Sequence, residues 1–255
     1  MENTVLEKFH QGRQSLGTFS AIGSPLAVES LRYTGLDYVI VDTEHSPAGI
    51  ESAAAQIAAA QGAGLTALAR ANEISRTAVL RLLDVGAQGV VVPCVETVEE
   101  VRELVRYAKF APLGNRGFCP TRDGGHAAHA VSISGYMETS NRETLLLPQC
   151  ETVGCLEHIE EITAMDGVDG IFVGPFDLSI ALGHPGEFNA PVVHDAILRV
   201  QAACKRSGKL SIIFTGSAAA SRQRFAEGFD SVTMGMDSLF YVEMYKNLVA
   251  DVWGK

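Results

Sequence analysis

Five side chains in this sequence have the types and positions that chemistry needs. They are Asp42 and His45 in "YVIVDTEHSP", Arg70 closing "LTALAR", Glu151 closing "LLLPQCE", and Asp177 in "GIFVGPFDLS". Each follows a short aliphatic or β-branched run, where an apolar strand gives way to a loop. Two carboxylates brought together repel unless a hard cation stands between them, and oxygen donors suit Mg²⁺ or Mn²⁺. Zinc is a poorer match, because no second histidine or cysteine has evident ligand spacing. Asp42 and His45 read as a carboxylate–imidazole dyad, the acid fixing the tautomer and raising the basicity of the ring. Arg70 has no acidic neighbour in sequence, which suits its guanidinium to a carboxylate or a developing enolate oxygen. Plainer readings stand beside these. Asp177 also reads as a helix cap, His45 as a turn histidine before Pro47, and Arg70 as half of a structural ion pair.

The lysines argue against one mechanism. A Schiff base needs a lysine at the site, but Lys8, Lys109, Lys205, Lys209, Lys246 and Lys255 fall in expected helices, at the opposite ends of strands, or at the terminus. Carbonyl activation then falls to a metal acting as Lewis acid.

The elements that must position these groups are legible as eight apolar runs, at 15–22, 38–42, 65–70, 89–94, 145–151, 170–174, 210–214 and 231–235. Several are continuously apolar, as parallel strands covered on both faces are. Helical patterns lie between them, among them 96–110, 155–165 and 191–208, and Gly35, Gly64, Gly86, Gly167, Gly208 and Gly228 stand at helix-to-strand joints. This alternation predicts an α/β fold, a single-domain (β/α)8 TIM barrel over residues 1–255. An open doubly wound sheet fits less well, since no G-x-G-x-x-G follows the first strand. The C-terminal ends of barrel strands carry the site, so all five residues are expected on one rim, with Glu151 and Asp177 ending adjacent strands ~5 Å apart. One long insertion, residues 111–143, is expected to be an active-site insertion.

Composition narrows the partners. The net charge of −10 leaves no basic excess for nucleic acid, and no apolar run approaches the ~20 residues of a membrane span. Five cysteines without a C-x-x-C pair, and an N-terminus too charged for a secretory leader, predict free thiols in a cytoplasmic protein.

The segments "VDTEHSP", "LLDVGAQGVVVP", "RGF" after "APLGN", "PQCET" and "GVDGIFVGPFDLSIALG" resemble the HpcH/HpaI family of metal-dependent, class II pyruvate aldolases over about residues 15–250. The family includes 4-hydroxy-2-oxoheptanedioate, 2-dehydro-3-deoxyglucarate and 2-keto-3-deoxyrhamnonate aldolases. The resemblance implies a lyase that reversibly cleaves a 4-hydroxy-2-oxo acid into pyruvate and an aldehyde through a pyruvate enolate. It implies one divalent ion (Mg²⁺, Mn²⁺ or Co²⁺) held by Glu151 and Asp177, with Arg70 on the enolate and His45, oriented by Asp42, moving the proton. Gln149 and the backbone of Gly174, Pro175, Phe176 and Asp177 would hold the 2-oxo acid, and Ile212 with the insertion would shape the aldehyde pocket. Asp84, which precedes the fourth strand, would act on the histidine across a subunit contact of a trimer or hexamer. Departures from the family pattern are Phe19 in place of tryptophan, "ARANE", and the loop "CPTRDGGHAAHA", whose His126 and His129 are expected to be solvated. Two other readings stay open. One is an enolate lyase or synthase acting on oxaloacetate or a coenzyme A thioester, with Arg116 and Arg122 as its basic groups; the other is a non-catalytic metabolite-binding barrel.

Overall fold

The computed structural model describes residues 3–127 and 132–254; His129 lies outside the described residues. Eight strands form where the apolar runs lie: β1 (Ser15–Ser20), β2 (Tyr38–Asp42), β3 (Thr66–Arg70), β4 (Gly89–Val92), β5 (Leu145–Cys150), β6 (Gly170–Val173), β7 (Leu210–Thr215) and β8 (Ser231–Met236). They close into a parallel barrel in sequence order, β8 pairing back with β1. The (β/α)8 expectation holds.

Alternation along each strand makes two cores. Outward residues such as Val39, Val41, Ala67, Val90 and Ile213 pack under the helices, and inward residues such as Phe19, Ile40, Leu68, Leu147 and Phe172 fill the barrel. Both faces are apolar, so the strand sequences lose the polar alternation of a half-exposed sheet. The helix Thr4–His10 closes the lower end, with Val5 and Leu6 in the inner core. Gly17 makes room there. A Cβ at Gly17 would stand 2.3 Å from the ring of Tyr38, its own register partner on β2.

A repeated lock fixes the lower end. The residue preceding each even-numbered strand accepts, through its side chain, the backbone N–H of the second residue in the strand before. Asp37 takes Leu16 at 2.9 Å, Gln88 takes Ala67 at 3.0 Å, Asp169 takes Leu146 at 2.7 Å and Asp230 takes Ser211 at 2.9 Å. Lys8 pairs with Asp37, and the buried Lys109 with Asp169. These lysines therefore serve the end opposite the strand C-termini.

All six joint glycines take positive φ, and Gly208 is the left-handed cap of the helix Pro191–Ser207. The helix expected over 155–165 is instead two, Val153–Glu157 and Ile159–Ala164, meeting at His158.

The insertion lies between β4 and β5, as expected. It follows the helix Val98–Ala108, so it leaves from the lower end of the barrel. Its described part folds back there: Asn141 bonds both polar backbone atoms of Phe110, and Arg122 bonds Gln61. No described insertion residue lines the upper cavity of its own chain.

The last helix, Asp237–Trp253, has no buried residue. Asp237 ties its first turn to β1, accepting from Ala21 N–H at 2.9 Å and Ser20 Oγ at 3.1 Å. Beyond that turn Tyr241, Tyr245, Leu248, Val249 and Trp253 are exposed.

Candidate active site

The upper ends of β2 and β3 finish in register, Asp42 opposite Arg70. Asp42 is fully buried and accepts from Arg70 Nε at 2.9 Å and Nη2 at 2.8 Å. Its Oδ1 also accepts the N–H of Glu44 at 3.0 Å and of His45 at 3.5 Å, shaping the turn that follows β2. Asp42 therefore holds the guanidinium and the loop backbone and does not bond the His45 imidazole, which corrects the expected dyad. The imidazole stands 65% exposed at the cavity edge, with Nε2 3.7 Å from Glu44 Oε2.

Glu44 is the acid that the sequence reading left unassigned. Its Oε2 lies 3.1 Å from Arg70 Nη1. Burial raises its pKa above the ordinary carboxylate range and Glu151 adds to that, while Arg70 and His45 oppose it. Arg70 also lies over the Phe19 ring, 4.7 Å from its centroid. A guanidinium carries five N–H groups, so Asp42 and Glu44 leave part of its donor edge for the cavity that Arg70 lines.

On the far wall, Glu151 follows β5 and is 5% exposed. Its Oε1 accepts the N–H of Cys94 at 2.7 Å, and its Oε2 accepts Gln149 Nε2. Cys94 is a non-glycine residue at φ 56°, a conformation that turns its N–H toward the acid. Burial is the first cause of the raised pKa of Glu151, and the charge of Asp177 raises it further. Asp177 stands exposed in the first turn of Pro175–Ala181, where Gly174 and not Asp177 is the N-cap. Gly174 is required for space, not for its dihedral angles. A Cβ there would stand 2.8 Å from Glu151 Oε2 and 2.9 Å from Gln149 Nε2.

A cavity of about 150 Å³ joins these walls, lined by His45, Arg70, Gln149, Gly174, Pro175, Phe176 and Asp177 together with Phe19, Phe172, Phe214 and Met236. Seven of the residues expected from the sequence line it, and Asp42 and Glu151 do not line it themselves but bond Arg70 and Gln149, which do. Two lie elsewhere. Ile212 is fully buried in the barrel interior, and Phe214, two residues nearer the rim on the same face of β7, lines the cavity in its place. Asp84 lies at the lower end, where Arg116 Nη2 bonds it at 2.9 Å and also bonds Asp123. Burial raises the Asp84 pKa against the pull of Arg116. A larger groove, about 210 Å³ between residues 43–50 and 72–82, includes none of the clustered acids.

The donor set suits a hard divalent cation. Glu151 and Asp177 are close enough to raise the cost of ionisation, Gln149 Oε1 is buried without a hydrogen-bond partner, and every donor named is oxygen. Two acids suffice for an ion that retains exchangeable positions for water and substrate. Among the described residues no lysine lines the cavity.

The model for HpcH/HpaI aldolase/citrate lyase matches residues 15–243. The chain belongs to that family. It is 34% identical over 214 residues, 82% of both chains, to the hydroxypyruvate/pyruvate aldolase of Roseovarius nubinhibens. It is 29% identical over 254 residues, covering 98% of this chain and 93% of the relative, to the 2-keto-3-deoxy-L-rhamnonate aldolase of Salmonella gallinarum. The crystal structure of the HpcH/HpaI aldolase from Desulfitobacterium hafniense superposes with a TM-score of 0.92 at 30% identity, covering 98% and 97% of the two chains. The protein is a carbon–carbon lyase of this family, and a barrel without catalysis is set aside.

Proposed function

We propose that this protein is a divalent-metal-dependent aldolase that reversibly cleaves a 4-hydroxy-2-oxo acid into pyruvate and an aldehyde. The observation that carries this reading is the convergence of His45, Arg70, Gln149 and Asp177 on one cavity, with Glu151 bonded to Gln149 at its wall and no described lysine lining it. Glu151 and Asp177 would hold Mg²⁺, Mn²⁺ or Co²⁺, and such an ion would supply Lewis-acid polarisation of the 2-oxo group. Arg70, held by Asp42 and Glu44, directs its remaining N–H groups at the oxygen on which enolate charge develops. That fixed geometry adds no reorganisation at the moment of reaction. Gln149 and the Gly174–Asp177 backbone seat the 2-oxo acid. The His45 imidazole takes the proton of the 4-hydroxyl as the C3–C4 bond breaks, and Glu44, its nearest acid, takes the orienting role first given to Asp42.

Asp84 cannot reach His45 within one chain, because the two occupy opposite ends of the barrel. Its proposed role requires a second copy. The exposed apolar face of Asp237–Trp253 supports a homo-oligomer, a trimer or hexamer by resemblance. The coenzyme A reading finds its basic groups already partnered, Arg116 with Asp84 and Asp123 and Arg122 with Gln61. The five cysteines are free, which fits the cytoplasmic reading, and no described helix is long and apolar enough to cross a membrane.

The test is a retro-aldol screen across 4-hydroxy-2-oxo acids with added Mg²⁺, Mn²⁺ or Co²⁺, read as pyruvate release. Activity that needs the cation, is lost in chelator, and survives borohydride supports the reading. Pyruvate release without added metal and with a borohydride-trapped lysine overturns it.

A further inference from the structure

We propose that the aldehyde partner of this enzyme is aromatic, seated on the phenylalanine rings that line the cavity. The inference rests on the pyruvate aldolase reading and names its acceptor class. With the 2-oxo acid between Arg70, Gln149 and Asp177, the surface left for the aldehyde is Phe19, Phe176, Phe214 and Met236. The rings form a continuous run. Phe19 and Phe214 have centroids 6.0 Å apart, Phe214 and Phe176 6.0 Å, and Phe176 meets Phe188 edge-on at 4.7 Å.

Within this chain, none of the four side chains of that wall can hydrogen-bond a polar acceptor. Among the described residues lining the cavity, Arg70 is the only arginine or lysine, and no serine, threonine or tyrosine is present. A polyhydroxylated aldehyde would bury hydroxyls with no partner, and an aldehyde ending in a carboxylate would bury an unpaired charge. The polar groups nearby, Asn189, Thr215, Gln223 and Arg224, line a second chamber of about 140 Å³ that shares Phe176 and Phe214 with the first, and Glu227 already holds Arg224 at 2.7 Å. An aryl ring, in contrast, finds edges and faces of its own kind at ordinary aromatic spacing and a methionine sulfur beside them.

The reaction balances without a further reagent. C3 of the pyruvate enolate forms a bond to the carbonyl carbon of benzaldehyde. The carbonyl π pair moves to oxygen, which takes one proton to give 4-hydroxy-2-oxo-4-phenylbutanoate. Cleavage is the reverse.

The experiment uses the full chain with Mn²⁺ and two readouts. Exchange of the pyruvate C3 protons for deuterium reports enolate formation with no aldehyde present. Addition of pyruvate to benzaldehyde, glyceraldehyde and succinic semialdehyde reports the acceptor. The expected result is exchange, with kcat/KM for benzaldehyde tenfold to a hundredfold above the other two. Phe214→Ser should lower the benzaldehyde-to-glyceraldehyde ratio at least tenfold, and Phe214→Leu, which keeps an apolar side chain without the ring, should lower it less. Exchange together with equal or better use of glyceraldehyde or the semialdehyde overturns the aromatic acceptor and leaves the aldolase reading standing. Absence of exchange overturns both.

Discussion

Asp42 and Arg70 are register partners at the last positions of β2 and β3, and the acid grips the guanidinium through two bonds of 2.9 and 2.8 Å. The pair is nearly closed to solvent, Asp42 at 0% and Arg70 at 7% exposure. Each role constrains the other: the acid tolerates burial because the arginine pairs with it, and the arginine is aimed because the acid holds two of its nitrogens and Glu44 a third.

Arg70→Ala should lower kcat/KM about 10²–10³-fold, roughly 3–4 kcal/mol, since it removes a preorganised donor at the enolate oxygen. Cation binding should persist, because Glu151 and Asp177 are untouched. Arg70→Lys should recover little, as an ammonium cannot make the fork to Asp42. Unchanged turnover with Mn²⁺ bound refutes the role.

Asp42→Ala should act mainly through Arg70 and through stability. Removing one partner of a buried pair typically costs about 3–5 kcal/mol, and Glu44 remains to offset part of that loss. The expected outcome is a lower unfolding midpoint in urea together with lower kcat. If Asp42 instead tuned His45, the principal change would be a shifted acidic limb of the pH–rate profile.

Gly174→Ala should weaken cation binding about 10–100-fold while leaving thermal stability nearly unchanged. The added methyl would meet Glu151 Oε2 at 2.8 Å and Gln149 Nε2 at 2.9 Å, so the acid must turn away from its site. Titration with Mn²⁺ by calorimetry or electron paramagnetic resonance measures this. Wild-type affinity in the variant refutes the cradle.

Burial raises the Glu151 pKa above its ordinary value of 4.5. The folded, cation-free protein then holds a proton that the unfolded chain has released, over the interval between that value and the raised one. By linkage, this group's contribution to stability is full below the unfolded pKa and is lost as pH rises through the folded pKa. Glu151→Gln removes that penalty. In chelator, its melting temperature should exceed the wild-type value by more at pH 7 than at pH 4.5. Mn²⁺ at pH 7 should raise the wild type and not the variant. A difference independent of pH would show that Glu151 ionises without strain.

The barrel was legible because strands covered on both faces must be apolar at every position, and eight such runs separated by helices leave few alternatives. Glu151, Asp177, Arg70 and His45 were legible because ionisable groups at strand ends contradict the apolar runs before them. Partnership was not. Asp42 and Arg70 are 28 residues apart and meet only through strand register, whereas Asp42 and His45 are near in sequence and do not bond through their side chains. Ile212 and Phe214 share one face of β7, and which of them reaches the rim depends on where the strand ends. The side of the insertion was readable in principle, because it follows a helix and not a strand.

The final helix makes the last prediction. Its first turn is bound to β1 through Asp237, yet no later residue is buried, and Tyr241, Tyr245, Val249 and Trp253 form one exposed stripe. An unsupported apolar helix of 17 residues is marginal in water, so its stability must come from packing. A second copy supplies that packing in the proposed oligomer, and the same assembly gives Asp84 a route to the His45 of another copy. Tyr245→Asp with Val249→Asp, one turn apart on this stripe, should therefore convert the assembly to a 27.2 kDa species by light scattering. The same change should lower turnover, because each site loses its neighbour's contribution, while cation binding through Glu151 and Asp177 should weaken far less. A wild type that is monomeric at assay concentration, or a doubly charged helix that leaves the mass unchanged, would sever the helix from assembly and Asp84 from the chemistry.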